Sequence, residues 1–369
     1  MTWDLWFSAL LLLFIGITLL HAVVLPRPKR DARTKGEPLV SILIPMRNEL
    51  ANVEGLIGSL QKQTYSKFEV IVLDDESTDG TREALEASTE HDSRFTIKPG
   101  APKLDGWVGK VYACHQLSGY ASGDYLLYVD ADVRIEPNAV QDVLAFMQHN
   151  NLALVSGFSR FLLPTWLNKL LVPMQHFIVL FHLPMGLARF TKWPPATAAH
   201  GGFMFFERGA YEAIGGHESV KGEIVEDMAL SKRMKAHGHK MWLANITAFA
   251  SCTMYETNED VWKGFSKNIF NGIGKSVPLA AVIMVFYASF YVLPFFLLVG
   301  AVVVADPSLL IPYALISIQG LIVYATTKEP LYLAFALPAS ALALIALLAN
   351  AMIRSMQGQK VEWKGRFYG

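Results

Sequence analysis

Two long stretches without charge bracket a charged middle, and that arrangement constrains the fold more than any single motif. Leu5 to Leu20 holds no charged side chain, and the apolar run extends to Leu25. From Val277 to Thr327 the only charge is Asp306, and from Leu331 to Ile353 there is none. At about 1.5 Å per helical residue the first run just crosses a hydrocarbon layer of about 30 Å. The later stretch reads as three spans near 277–304, 308–326 and 331–353. Between these ends lies a stretch that carries most of the ionisable residues.

The totals conceal this segregation. The 369 residues are 52% hydrophobic and 17% charged, with 32 basic and 32 acidic side chains. The apolar excess excludes a disordered chain. Zero net charge offers no general attraction to nucleic acid, so a basic nucleic-acid binder is excluded as the leading class. Two cysteines, Cys114 and Cys252, cannot build a disulfide scaffold and fit a reducing compartment.

The first span reads as an uncleaved anchor covering residues 1–26. A signal peptide would carry basic residues before the apolar run and a small-residue cleavage site after it. Here Asp4 precedes the run, and Pro26-Arg27-Pro28-Lys29-Arg30 follows it. Trp3 and Trp6 lie where an interfacial aromatic belt would be. The basic flank also includes Arg33 and Lys35. It predicts a cytosolic middle domain and a multi-pass protein of the cell membrane. Three C-terminal spans over 276–354 would then leave the tail, 355–369, on the far side. That tail carries Lys360, Lys364 and Arg366, just after Arg354, which the same rule places in the cytosol. The two rules disagree. Pro294 and Pro338 interrupt two of the segments, so a re-entrant or interfacial segment is the alternative.

Residues 37–275 read as an α/β domain. Leu39–Pro45, Phe68–Leu73 and Tyr125–Val129 are short apolar runs, each followed by polar residues. Asn52–Gln63 and Thr81–Ser88 have helical spacing between them. Strand–helix alternation implies a parallel sheet with ligands at the strand carboxyl ends. One inner stretch, 161–190, is strongly apolar but broken by Pro164, Pro173 and Pro184. It reads either as amphipathic elements in the membrane interface or as a core helix hairpin.

The strand ends carry the chemistry. The first ends Pro45-Met46-Arg47-Asn48-Glu49, and the second Asp74-Asp75-Glu76-Ser77-Thr78-Asp79-Gly80-Thr81. Asp79 and Thr81 are best placed to cap the following helix. Asp75 can accept hydrogen bonds from a base N–H or a ribose hydroxyl. The third strand ends Asp130-Ala131-Asp132, two carboxylates of the kind that Mg²⁺ or Mn²⁺ prefers. Glu226-Asp227 opens a helix, where acids suit the dipole. Asp227 is also placed to act as a general base.

The order Pro45, Asp75, Asp130-Ala131-Asp132, Glu226-Asp227 resembles the inverting glycosyltransferases of family 2, which have a GT-A fold. The resemblance covers about 37–275, and the apolar ends match the family's membrane-bound branches. It implies that Pro45 and Glu49 border the nucleoside, Asp75 binds uracil and Asp130 sits at the ribose. Asp132 would hold Mg²⁺ or Mn²⁺, and Asp227 would be the base. Gly106-Trp107-Val108-Gly109-Lys110-Val111-Tyr112-Ala113-Cys114 resembles a segment of the carotenoid-acid (diaponeurosporenoate) glucosyltransferases and hopanoid-associated relatives. There Lys110 would pair with the donor diphosphate, with a surface lysine as the alternative; Trp107 would pack. Gly215-Gly216-His217 resembles a family segment in which His217 orders the loop or joins the site. His200-Gly201-Gly202 matches the acceptor-side loop only loosely. Trp363-Lys364-Gly365-Arg366-Phe367-Tyr368 resembles a tail motif that would bring Arg366 near the diphosphate, unless it is a basic anchor. No Gln-x-x-Arg-Trp follows the acidic pair; the region reads Trp262-Lys263-Gly264-Phe265-Ser266-Lys267, which argues against a polymerising synthase and makes Lys267 a candidate substitute. The implied partners are a UDP-sugar, a lipid or carotenoid-type acceptor and membrane lipids. A polyprenyl-phosphate acceptor, or an inactive sugar-nucleotide-binding protein, are the alternatives.

Overall fold

The first charge-free run is a helix, α1 (Trp3–Val24), in the computed structural model, which describes residues 3–358, 361–363 and 366–368. The chain packs as two compact units: residues 25–162 with 185–254, and residues 1–24 with 163–184 and 255–369. The expected domain at 37–275 is therefore divided. Its inner stretch 163–184 and everything after 254 group with the apolar helices.

The first unit holds ten strands. In chain order they are β1 (Val40–Met46), β2 (Phe68–Asp74), β3 (Phe95–Pro99), β4 (Tyr125–Val129), β5 (Val133–Ile135), β6 (Leu154–Phe158), β7 (Arg160–Phe161), β8 (Phe203–Glu207), β9 (Met241–Asn245) and β10 (Ala250–Cys252). Its helices are α2 (Leu50–Gln61), α3 (Thr81–Thr89), α4 (Gly109–Tyr120) and α5 (Ala139–Asn150). After α6 (Trp166–His182) of the other unit come α7 (Met185–Phe190), α8 (Arg208–Ala213) and α9 (Glu226–Ala236). The main sheet runs β3-β2-β1-β4-β8-β6-β9. Val40, Ile42, Leu43 and Ile44 of β1 are fully buried, as a central strand covered on both faces requires.

Register decides what meets at the sheet edge. β1 and β2 pair in parallel from Val40↔Phe68 to Met46↔Asp74, and β4 runs parallel on the other side of β1. Residues 47–49, 75–76 and 130–132 therefore leave the sheet at the same end. β8 runs antiparallel to β4, with Val129 opposite Phe203. The turn before β8, His200-Gly201-Gly202, is thereby delivered to that same end. A small sheet, β5-β10-β7, sets Cys252 opposite Val133, one residue from Asp132.

The second unit contains α1, α6, α10 (Asn258–Gly272), α11 (Val277–Tyr287), α12 (Leu293–Val304), α13 (Ile311–Thr327) and α14 (Leu337–Met356). Among the described residues, four stretches are long and apolar enough to cross a membrane: Leu5–Val24, Val277–Val304, Pro307–Thr327 and Leu331–Met356. Pro294 and Pro338 stand in the first turns of α12 and α14, where no N–H donor is needed. A π-helical turn, Ala288–Val292, absorbs the join before Pro294. Among the buried polar side chains here, His176 Nδ1 lies 2.7 Å from Glu329 Oε1, and Gln319 links Tyr291 to Thr18. Backbone strands β11 (Val361–Trp363) and β12 (Arg366–Tyr368) pair antiparallel at the end of the chain.

Candidate active site

Three charged groups form the centre of the edge site. Lys110 enters from the first turn of α4, Asp130 from the end of β4 and Glu226 from the first position of α9. Lys110 Nζ lies 2.8 Å from Asp130 and 3.1 Å from Glu226. Burial alone would lower the Lys110 pKa, but the two carboxylates hold it well above the usual lysine range. Glu226 behaves in the opposite sense: burial would raise it, and Lys110 brings it below its ordinary value. Burial raises Asp130, against the pull of Lys110. Two carboxylates thus share one ammonium. Lys110, expected at the donor diphosphate, is engaged by Asp130 and Glu226 in this structure, and a diphosphate would have to compete for it.

Asp132 and Asp227 flank this centre and are both carboxyls of raised pKa. Asp132 is pushed to about 7, first by burial and then by the negative charges of Asp130 and Glu49. Its Oδ2 accepts a hydrogen bond from the Cys252 thiol at 3.3 Å. Its Oδ1 is buried and has no hydrogen-bond partner among the described residues. A buried carboxylate oxygen without a donor is costly unless something else meets it. Asp227 is pushed to about 7, first by burial and then by Glu226. Its Oδ1 accepts from the Met228 N–H at 2.7 Å, and the Gly201 N–H also donates to the carboxylate.

Gly201 lies against Asp227 and Lys110. A Cβ added there would lie 3.3 Å from Asp227 Oδ2 and 3.5 Å from Lys110 Nζ. Gly201→Ala should therefore displace the Asp227 carboxylate by a few tenths of an ångström. Turnover is expected to fall about 10-fold or more, because reacting groups tolerate little displacement, while the melting temperature stays close to wild type. An unchanged kcat would show that the turn has room to spare.

The side of the edge carrying Pro45, Glu49 and Asp75 is built from two cross-tied loops. Asn48 and Glu76 both take left-handed backbone, with φ of 52° and 57°. The Asn48 N–H donates to Ser77 Oγ, the Thr78 N–H to Asn48 Oδ1 and the Glu49 N–H to Thr81 Oγ1. Arg47 donates to the Asp75 carbonyl at 2.6 Å. Asp75 is 5% exposed beneath these loops, and Pro45 pairs in register with Leu73. Glu49 accepts from Asn52 Nδ2. Asp79 accepts from the N–H groups of Leu50 and Thr81. Burial would raise its pKa, but these bonds and the Thr81 hydroxyl bring it below the usual value. The N-cap of α3 is Gly80, with no side-chain cap, so Asp79 and Thr81 do not fill the capping role expected of them and instead tie the start of α2 to the start of α3. Asp79→Ala should cost about 1 kcal/mol through the hydrogen bonds it removes. The loss should be present at neutral pH and shrink as acid protonates Asp79 below its lowered pKa, as denaturant melts at pH 7 and pH 3 would show.

Several groups at the edge carry no sequence signature. Arg134 donates to the Ala131 and Val133 carbonyls at 2.8 and 3.0 Å and to Asn52 at 2.9 Å, which ties down the Asp130–Asp132 turn. The only hint of it is a basic residue two places after Asp132. Cys252 has no partner spacing that could point to it. His217 is buried, with Nδ1 2.7 Å from the Tyr211 hydroxyl, and burial lowers its pKa to about 3. It orders the turn after Gly215 and Gly216, both at positive φ. Trp107 packs its ring on Tyr112 and His115. Lys267 lies on α10 and Arg366 on β12, both in the other unit. The side chain of Arg366 lies outside the described residues, as do Lys360, Lys364 and Gly365. Among the described residues no cluster of three or more His, Cys, Asp or Glu side chains could hold a metal unaided.

Residues 41–215 match the family described as Glycosyl transferase family 2. Among curated proteins, the 4,4'-diaponeurosporenoate glycosyltransferase of Staphylococcus haemolyticus is 23% identical over 269 residues, covering 70% of this chain and 68% of the relative. That of Staphylococcus aureus (strain N315) is 24% identical over 299 residues, covering 77% and 76%. Among solved structures, the mannosyltransferase PcManGT from Pyrobaculum calidifontis, in complex with GDP-Man and Mn²⁺, aligns with a TM-score of 0.52 at 17% identity. It covers 95% of this chain and 98% of that one. At that identity the likeness shows a shared fold.

Proposed function

We propose that this chain, which carries a glycosyltransferase family 2 domain on a GT-A fold, is a membrane-anchored inverting transferase moving a sugar, glucose first, from a UDP-sugar to a lipid or carotenoid-type acceptor. The observation that carries the reading is the convergence of Asp75, Asp130, Asp132 and Asp227 on one sheet edge, with a buried, unpartnered oxygen on Asp132. Asp75 accepts from uracil, Pro45 and Glu49 border the nucleoside, and Asp130 faces the ribose. The free oxygen of Asp132 would help hold Mg²⁺ or Mn²⁺ beside a bound donor. A divalent ion held there would supply charge neutralisation for a departing diphosphate.

The chain's own residues do the rest. The Asp227 carboxylate takes the proton from the acceptor hydroxyl. The freed electron pair forms the new bond to sugar C1, the bond from C1 to the diphosphate oxygen breaks, and its pair leaves with UDP. Attack from the face opposite the leaving group inverts C1. Glu226 keeps the Asp227 pKa high, Lys110 offsets the charge of Glu226 and Asp130, and the Gly201 N–H orients the base. A carboxylic acid acceptor is already ionised at neutral pH, so orientation then outweighs proton transfer.

The four apolar helices support anchoring as a multi-pass membrane protein, and the basic flank Arg27–Lys35 supports a cytosolic catalytic unit. The test is purified protein with a panel of UDP-sugars, Mn²⁺ and extracted membrane lipids, read by mass spectrometry. Sugar added to a lipid, and lost in Asp132→Ala, is the expected result. Donor binding without turnover on any lipid would overturn it. A product on lipid phosphate that survives Asp227→Asn would redirect the reading to a polyprenyl phosphate.

A further inference from the structure

From Val143 to Phe206 the chain runs 64 residues without one aspartate or glutamate, while holding Arg160, Lys169, Arg189 and Lys192. The acid-free stretch includes α7 and the turn after it, the first part of the catalytic unit reached when the chain leaves the apolar unit at Pro184. α7 and that turn expose large apolar side chains. Phe190 is 70% exposed, Trp193 53% and Leu187 45%. Basic groups stand among them: the Arg189 guanidinium lies over the Phe190 ring at 5.0 Å and over Trp242 at 4.7 Å, and Lys192 is exposed.

The segment is held firmly despite that exposure. Buried Lys235 on α9 donates to the carbonyls of Ala188 and Ala196, at 2.7 and 2.6 Å. Trp242 Nε1 donates to the Arg189 carbonyl at 2.9 Å. A buried lysine used to fix two loop carbonyls presents the aromatic residues in one orientation. Exposed aromatic and aliphatic residues mixed with cations, in a stretch of chain without an acid, suit the boundary between anionic headgroups and acyl chains. A protein partner would leave the missing acids unexplained, whereas anionic lipid selects against them.

We infer that Leu187, Phe190 and Trp193, with Arg189 and Lys192, form a contact patch by which the catalytic unit rests on an anionic lipid surface. The inference rests on the membrane-bound reading above and adds where the catalytic unit itself meets the bilayer. For an enzyme whose acceptor is a lipid, such a contact keeps the site within reach of its substrate.

The test uses the full chain in vesicles of about three parts phosphatidylcholine to one part phosphatidylglycerol, an anionic surface of the required kind. A nitroxide is attached at Trp193→Cys, with Glu86→Cys on exposed α3 as the aqueous control; the native cysteines are buried. The nitroxide at 193 should be relaxed by oxygen more than by a water-soluble nickel chelate, at a depth of about 5–10 Å. The depth should decrease in Lys192→Gln and in pure phosphatidylcholine. Chelate access at 193 equal to that at 86 would overturn the inference. Shielding from both relaxants would do so too, since it would mean packing against a second copy. An alkaline carbonate wash separates the two readings. Protein released by the wash refutes membrane anchoring itself; protein retained with 193 in water refutes only the patch.

Discussion

Asp227→Asn should lower turnover on a hydroxyl-bearing acceptor by about 10²–10⁴-fold, the range over which positioned acid–base groups act, while donor affinity stays nearly unchanged. The amide keeps the shape and its one oxygen can still accept from the Met228 N–H, so the variant tests the proton and not the fold. The pH dependence gives an independent readout. Asp227 must be ionised to accept a proton, and burial with Glu226 places its pKa at about 7. Wild-type kcat/KM should rise roughly tenfold per pH unit below that value and level off above it. The asparagine variant should lose this limb. The size of the loss also reports the acceptor. A hydroxyl needs its proton removed; a carboxylic acid ionises near pH 4 without help and should leave the variant only modestly impaired. A variant with full activity and an intact limb would remove Asp227 from the mechanism.

The parts of this site that sequence could reveal are those dictated by strand burial. A central parallel strand must be apolar along its length, so the first acids after Leu73 and Val129 necessarily stand at the sheet edge. That is why Asp75, Asp130 and Asp132 were identifiable without a structure, as were the four apolar helices. What sequence could not reveal depends on pairing across long separations. Gly201 reaches Asp227 and Lys110 because β8 returns antiparallel beside β4, more than 70 residues downstream. Lys110 read as a cation awaiting an anionic donor, yet the fold supplies two carboxylates of its own. Cys252 meets Asp132 only through the register of a three-stranded sheet. The stretch 161–190 had no single periodicity because it is two elements in two units: α6 carries Pro173 inside it and groups with the apolar helices, and α7 begins after Pro184.

Asp132→Asn should abolish metal-dependent donor binding and yet make the metal-free protein more stable at alkaline pH. The folded carboxyl keeps its proton up to a pH of about 7, whereas in the unfolded chain it ionises near the ordinary value of 3.8. Between those values the folded state binds more protons, so stability falls as pH rises through the window and is lowest above it. The causes are burial and the charges of Asp130 and Glu49, and an uncharged asparagine escapes all three. In chelator at pH 8 the variant should melt several degrees above wild type, as a gain of about 1–2 kcal/mol would give. At pH 5, where wild-type Asp132 is protonated, the gap should close. Adding Mn²⁺ together with UDP should reverse the order at pH 8. At a hundredfold excess over its dissociation constant, a ligand that binds only the folded state contributes about 2.7 kcal/mol. Wild type should gain that stability and the variant should not. Residues kept at the expense of stability are those that function demands. A variant that melts below wild type in chelator at pH 8, or keeps the full Mn²⁺-induced shift, would show that Asp132 is an ordinary structural carboxylate.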